Sequence, residues 1–193
     1  MSDLTIAVCC SSNMNRSMEA HQFLSKRGFN VKSYGSGNQV KLPGQAPDKP
    51  NIYDFNTTYE EMYRDLLRKD SNFYTQNGLL HMLDRNLRIK EKPQRFQGCN
   101  DKFDIVITCE ERVFDQVVED LESRSKDGTA SHVLNINILD NQEEATLGAI
   151  DICQLCTRLQ DADDLDDEID EIIHEFELES KREILHTIYF YSD

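Results

Sequence analysis

The sequence predicts an α/β three-layer sandwich, with helices on both faces of a central, mainly parallel sheet. Three observations carry this expectation. Short apolar runs rich in β-branched residues recur without the alternation of a sheet that has one wet face. Helical periodicity fills the intervals between them. The length, 193 residues, suits a single domain over 1–193 that buries its own core without disulfides or metals.

Thr5-Ile6-Ala7-Val8-Cys9-Cys10 is the first such run and reads as a strand buried on both faces. Small polar residues follow from Ser11 to Asn15. A helix then places Met18, Ala20, Phe23 and Leu24 on its buried side, with Gly28 as its stop. Phe29 to Tyr34 reads as a second strand ending at Gly35 and Gly37, so the chain opens with a βαβ unit. Residues 38–57 hold Pro43, Pro47 and Pro50 and read as an irregular insertion, with a short extended piece at Ile52 to Phe55. A helix is expected from Thr58 to Lys69, where Tyr59, Met62, Tyr63, Leu66 and Leu67 keep helical spacing, and another from Leu79 to Ile89. Phe103 to Cys109 and His132 to Ile138 are further buried-type strands, separated by a helix over Arg112 to Arg124. Helices then cover Glu143 to Leu159 and Asp164 to Glu179. An acidic helix and tail occupy 160–193, in which Ile184 to Phe190 fits a last strand or a packed helix end. A parallel sheet binds ligands beyond the carboxyl ends of its strands. That edge collects the loops at 11–16, 35–45, 110–112 and 139–142.

Composition narrows the function. The net charge of -15 argues against a general nucleic-acid backbone binder, because phosphates need a positive surface. The charge is unevenly placed: residues 1–100 carry 14 Lys/Arg against 10 Asp/Glu, and residues 101–193 carry 7 against 26. An anion site is therefore expected in the first part. The run from Leu4 to Cys10 lacks the basic flank and cleavage site of a leader, and no apolar run approaches membrane-spanning length. The cysteines Cys9, Cys10, Cys99, Cys109, Cys153 and Cys156 then read as reduced intracellular thiols, with no membrane partner.

The chemistry lies in Cys10-Ser11-Ser12-Asn13-Met14-Asn15-Arg16-Ser17. A cysteine at a strand end, five loop residues and an arginine at a helix start are what phosphoryl transfer to sulfur needs. The loop turns successive backbone N–H groups into a nest for a tetrahedral oxyanion. The helix N-terminus adds positive potential, Arg16 offers a two-pronged contact to phosphate oxygens, and the same field favours the attacking thiolate. Ser17 can hydrogen-bond that thiolate, and Asn13 can brace the loop. With 6 Cys and 11 Arg in the chain, the bare spacing is weak; its position in the first strand-loop-helix makes it informative. The leaving oxygen needs an acid on another loop. Asp140, after the last strong strand, should reach this edge, whereas Asp104 starts a strand and points to the other end.

Other features read as structural. Cys153 and Cys156 share a helical face with Ala149, Ile152 and Leu159 and lack a second ligand pair, so they are expected in the core rather than on a metal. The 11 Asp/Glu of 161–179 form the wet side of an amphipathic helix buried through Leu165, Ile169, Ile172, Ile173 and Phe176; docking of a basic partner there is the sharper alternative. His21 and His81 are expected to be structural. Nothing in the spacing calls for a metal or another cofactor.

Cys10-Ser-Ser-Asn-Met-Asn-Arg-Ser-Met-Glu-Ala-His21, with Val40-Lys-Leu-Pro-Gly44, Ala46-Pro-Asp-Lys-Pro50, Tyr74-Thr-Gln-Asn-Gly78, His81-Met-Leu-Asp-Arg-Asn86, Thr108-Cys-Glu-Glu-Arg112 and Glu143-Glu-Ala-Thr-Leu-Gly-Ala149, resembles a known family over nearly the whole chain, although the acidic run near 161–170 is heavier than that family's pattern. It is the symplekin-associated, cysteine-based RNA polymerase II C-terminal-domain (CTD) phosphatase family, whose core is similar to low-molecular-weight tyrosine phosphatases. The resemblance implies a nuclear serine phosphatase of transcription and pre-mRNA 3′-end processing. It would act on the fifth, and also the seventh, heptad serine, with the next proline in cis, the minor isomer. It implies Cys10 as nucleophile, Arg16 as phosphate clamp, Asp140 as general acid and then base, and Ser11, Ser12, Asn13, Met14, Asn15 and Ser17 as the phosphate loop. An inserted cap would supply a groove from Lys41, Pro43, Tyr74, Leu79 and Met82. The implied partners are the phosphorylated CTD peptide, symplekin or an equivalent scaffold, and a prolyl isomerase feeding the substrate; no direct nucleic acid is implied. Three positions depart from the pattern. Cys9 stands where valine is expected, Asn15 replaces the second loop cysteine of the tyrosine phosphatases, and Asn137 replaces an acid. The alternatives are a low-molecular-weight-type tyrosine phosphatase or arsenate reductase on the same loop, or a protein acting mainly as a scaffold.

Overall fold

The structure is a computed structural model that describes residues 3–124 and 130–190; the last three residues of the expected tail, 191–193, lie outside them. Five strands form the main sheet: β1 (Thr5–Cys10), β2 (Asn30–Gly35), β5 (Ile105–Thr108), β6 (Ala130–Ile136) and β7 (Ile184–Phe190), in the order β2-β1-β5-β6-β7. The first four pair in parallel, and β7 runs antiparallel along β6 from Ile184 opposite Ile136 to Phe190 opposite Ala130. The tail is thus the last strand. The central strands β1 and β5 are buried on both faces, which is why their sequences do not alternate.

Helices α1 (Arg16–Lys26), α5 (Gln142–Asp161) and α6 (Leu165–Ser180) cover one face, in a core containing Ile6, Val8, Cys10, Leu24, Ile107, Ile152 and Phe176. Helix α4 (Glu111–Ser123) covers the other, packing with Ala7, Cys9, Phe96 and Phe103. Successive residues of a strand point to opposite faces. Cys9 and Cys10 therefore enter different cores, both as free thiols, and Cys9 serves as a small apolar residue. Cys153 and Cys156 are likewise buried core thiols, and α6 buries Ile169, Ile173 and Phe176 while its acidic side stays wet.

The segment 38–57 is more ordered than its prolines suggested. β3 (Val40–Leu42) and β4 (Asn51–Tyr53) form an antiparallel two-stranded sheet. Three-residue strands are too short to show periodicity, so only the second was legible. Helix α2 (Tyr59–Gln76) runs past the expected end at Lys69, but its backbone breaks at Asp70 (φ -168, ψ 94), whose Oδ1 accepts from Phe73 N at 3.1 Å. Asp70 thus caps a second helical piece. Helix α3 (Leu79–Leu87) stops two residues before the expected end. The hairpin, α2 and α3 share a core of their own, built on Val40, Leu42, Tyr59, Met62, Leu66 and Leu83, which also takes in Met14 of the loop and Met18 of α1.

Candidate active site

The loop from Cys10 to Asn15 joins β1 to α1 at the carboxyl edge of the sheet. Asn13 has φ 56, the left-handed region that asparagine tolerates better than most residues. One left-handed residue in a tight loop turns neighbouring N–H groups to the same side. Helix α1 begins without a side-chain cap, because Asn15, at the capping position, donates from Nδ2 to Asp140 Oδ1 at 3.0 Å instead. Its first-turn N–H groups are left without a side-chain acceptor, the arrangement that favours an anion. Gly35 lets β2 approach the loop: a Cβ there would lie 2.8 Å from Ser11 O and 3.0 Å from Asn13 N.

The loop is held from outside by its oxygens. Tyr59 Oη donates to Asn13 O at 2.7 Å. Arg85 Nη2 and Asn86 Nδ2 donate to Met14 O at 2.8 and 2.9 Å. Lys90 Nζ and Gln94 N donate to Asn13 Oδ1 at 2.7 and 3.0 Å. Asn13 Nδ2 donates to Ser17 Oγ at 2.9 Å, and Ser17 Oγ lies 3.0 Å from Cys10 Sγ. With its oxygen accepting from Asn13, the Ser17 hydroxyl has its own hydrogen free to donate to a thiolate.

Arg16 is buried, 6% exposed. Its Nη2 donates to Glu110 Oε1 at 3.0 Å and its Nη1 to Ile138 O at 3.0 Å, while Nε lies 3.7 Å from Asp140 Oδ1 and has no hydrogen-bond partner among the described residues. Burial alone would lower the Arg16 pKa, but Cys10, Asp140, Cys109 and Glu110 together hold it above its ordinary value, so the guanidinium stays charged. Cys9 and Cys109 are pushed up, mainly by burial, and remain neutral thiols. Asp140 precedes α5, whose cap Asn141 accepts from Glu144 N at 2.8 Å.

A cleft of about 360 Å³ opens over this loop, lined by Cys10, Met14, Asn15, Arg16 and Asp140 on one side and by Lys41, Pro43, Leu79 and Met82 on the other. A second hollow of about 610 Å³ continues past Ser11, Ser12 and Lys41 toward Glu110 and Leu139. The expected residues therefore converge, with one correction. Tyr74 does not line the cleft: it is 2% exposed, and its hydroxyl accepts from Asn51 Nδ2 at 2.9 Å, so it braces β4 beneath the groove. His21 is structural, bonded through Nδ1 to Ser33 Oγ at 2.8 Å, and His81 is exposed outside the cleft. Asp104 accepts from Thr5 N at 2.9 Å at the opposite end of the sheet. Asn137 Oδ1 accepts from Asn135 Nδ2 at 3.0 Å. Sequence reasoning missed Glu110, Tyr59, Arg85, Asn86 and Lys90. Only Glu110 carried a signal, its place at the end of a buried strand. Among the described residues no group of three or more His, Cys, Asp or Glu is placed to hold a metal ion, and no helix is long and apolar enough to cross a membrane.

Sheet, edge loop and buried arginine define an α/β protein whose cleft at the carboxyl edge of the parallel strands gathers Cys10, Arg16 and Asp140. The chain belongs to the Ssu72 family: the family model described as Ssu72-like protein matches residues 4–191. The zebrafish (Danio rerio) RNA polymerase II C-terminal domain phosphatase SSU72 is 64% identical over 189 residues, covering 97% of each chain. The human (Homo sapiens) protein of the same name is 63% identical over 191 residues, covering 98% of each. Among solved structures, Drosophila melanogaster Ssu72 with symplekin, bound to a cis peptidomimetic CTD peptide phosphorylated on the fifth serine, matches with a TM-score of 0.95 and 57% identity, covering 99% of this chain and 100% of that one.

Proposed function

We propose that this chain is a cysteine-dependent protein serine phosphatase that removes phosphate from the fifth-position serine, and also the seventh, of RNA polymerase II CTD heptads, with the following proline in cis. The observation that carries the reading is one cleft holding a complete set of roles: Cys10 with its Ser17 partner, the buried Arg16, Asp140 on a separate loop, and an apolar wall of Pro43, Leu79 and Met82. The relatives' shared name and the phosphoserine peptide bound to the Drosophila protein support this substrate.

In the first step Cys10 Sγ attacks phosphorus, the P–O bond to serine breaks, and Asp140 gives its proton to the departing oxygen. Arg16 and the loop amides stabilise the charge on the three equatorial oxygens, where preorganised donors count most. In the second step Asp140, now a carboxylate, takes a proton from water as the water oxygen attacks the phosphocysteine, freeing phosphate and the thiolate. Asn15, bonded to Asp140 Oδ1, aims the acid across the loop in both steps. Lys41 at the groove rim can meet a peptide carbonyl or phosphate, and the apolar wall suits a proline ring. The proposed setting is nuclear, in transcription and 3′-end processing, with symplekin or an equivalent scaffold as partner and a prolyl isomerase raising the cis fraction.

The test is phosphate release from heptad peptides carrying phosphoserine at the fifth position, compared with phosphotyrosine peptides. Turnover of the serine peptide, faster with a cis-locked proline mimic than a trans-locked one, and lost in Cys10→Ser, is expected. Preference for the trans-locked mimic would overturn the groove assignment, and turnover surviving Cys10→Ser would overturn the mechanism.

A further inference from the structure

Lys90 lies just beyond α3, its backbone N–H donating to Asn86 O at 3.0 Å. Its Nζ points inward and directs its donors to Asn13 Oδ1 at 2.7 Å, Ser33 O at 2.8 Å and Gln94 Oε1 at 3.1 Å. The ammonium also sits 5.8 Å from the centre of the Tyr34 ring. Asn13 is the left-handed residue of the loop, and its other amide atom bonds Ser17, which bonds Cys10. A three-member relay thus leads from Lys90 to the sulfur.

The charge around Lys90 is unusual for a half-buried cation. Arg85 is paired with Glu19 at 2.8 Å and Arg16 with Glu110 at 3.0 Å. Among the described residues no carboxylate pairs with Lys90. The titratable groups that face it are Cys9 and Cys10 from β1, Tyr34 from β2 and His21 from α1. Burial lowers the ammonium to about 7, while Cys10 pulls the other way. An unpaired cation under the surface is costly and persists where something anionic offsets the cost. Here the anions available are the Cys10 thiolate and a phosphoryl group in the loop.

We infer that Lys90 is a positioning residue for phosphoryl transfer, holding Asn13 in its left-handed conformation and placing an uncompensated positive charge behind the oxyanion loop. The inference rests on the phosphatase reading above. A charge that fixes the loop and meets the developing negative charge acts more on the transition state than on substrate binding, so it belongs to kcat rather than KM.

The test uses the full chain, p-nitrophenyl phosphate as substrate and orthovanadate as inhibitor, in a cycle of Lys90→Met, Asn13→Ala and the double variant. Lys90→Met is expected to lower kcat about 10- to 100-fold, with orthovanadate inhibition weakened in step and KM moved by less than about threefold. On the Asn13→Ala background the same change is expected to cost at least about threefold less, because the relay is already cut and only the direct effect of the charge remains. A general loss of structure would reduce activity equally on both backgrounds. Equal losses, or an unchanged kcat, overturn the inference. Should Lys90→Met fail to fold, Lys90→Ala, which likewise removes both donor and charge, carries the same expectations through the same cycle. A wild-type chain without turnover overturns the phosphatase reading, whereas turnover indifferent to Lys90 overturns only the inference.

Discussion

The two halves of the candidate site are held very differently. The oxyanion loop is immobilised: Asn13 and Ser17 are wholly buried, Arg16 is 6% exposed, and the oxygens of Asn13 and Met14 are tied by donors from α2, α3 and the segment after it. The acid loop is open. The Asp140 side chain is 64% exposed and, among the described residues, accepts one hydrogen bond, from Asn15. The proposed reaction gives a reason for the difference. Electrostatic stabilisation counts only if the donors need not reorganise, so the loop is braced from every side. As the proposed acid and base, Asp140 must meet first the leaving serine oxygen and then the attacking water, and its place at the rim gives both access.

This contrast can be broken from either side. Asp140→Asn removes the proton donor while leaving the loop intact. It should slow phosphoserine turnover by about 10²- to 10⁴-fold, with a much smaller effect on p-nitrophenyl phosphate, whose leaving group hardly needs an acid. Equal losses on the two substrates would show that Asp140 serves the loop rather than the leaving group. Arg16→Lys replaces a planar fork by a point charge and strips Glu110 and Ile138 O of their donor. A loss of about 10²- to 10³-fold on both substrates alike is expected from steady-state rates. Asn15→Ala frees Asp140 while leaving the loop carbonyls tied. It should cost about tenfold or less, confined to the phosphoserine peptide.

The smallest effect lies in stability. Burial, helped by Lys90, lowers the His21 pKa from its ordinary 6.5 to about 4. The unfolded chain then binds this proton first on acidification. The contribution is full above about 6.5 and is lost as pH falls through about 4. Urea midpoints measured across that range should fall less steeply in His21→Gln than in the wild type; parallel curves would remove His21 from the acid limb.

The same contrast explains what the sequence revealed. Cys10, Arg16 and Ser17 were legible because strand, loop and helix start follow one another within eight residues, and Asp140 because it ends a strong apolar strand. Tyr59, Arg85, Asn86 and Lys90 were not, because they meet the loop from 46 to 77 residues away, and no local spacing records the meeting. Tyr74 was misplaced for a related reason: the resemblance put it in the groove, and only the Asn51 contact, from 23 residues away, shows that it supports the groove instead of lining it. The strands of the main sheet were readable except at the tail, where apolar residues alone did not separate strand from helix end, and the order in which they pair, β2-β1-β5-β6-β7, was not.

The most direct test of the account is to catch the covalent step. Asp140→Asn should slow hydrolysis of the intermediate as well as its formation, so rapid acid quenching during turnover of an activated phosphate ester, followed by peptide mass spectrometry, should find a phosphoryl group on the Cys10 peptide. That adduct should be absent in Cys10→Ser. Turnover with no phosphocysteine at any quench time, or phosphate found on another residue, would contradict the assignment of Cys10 as the nucleophile.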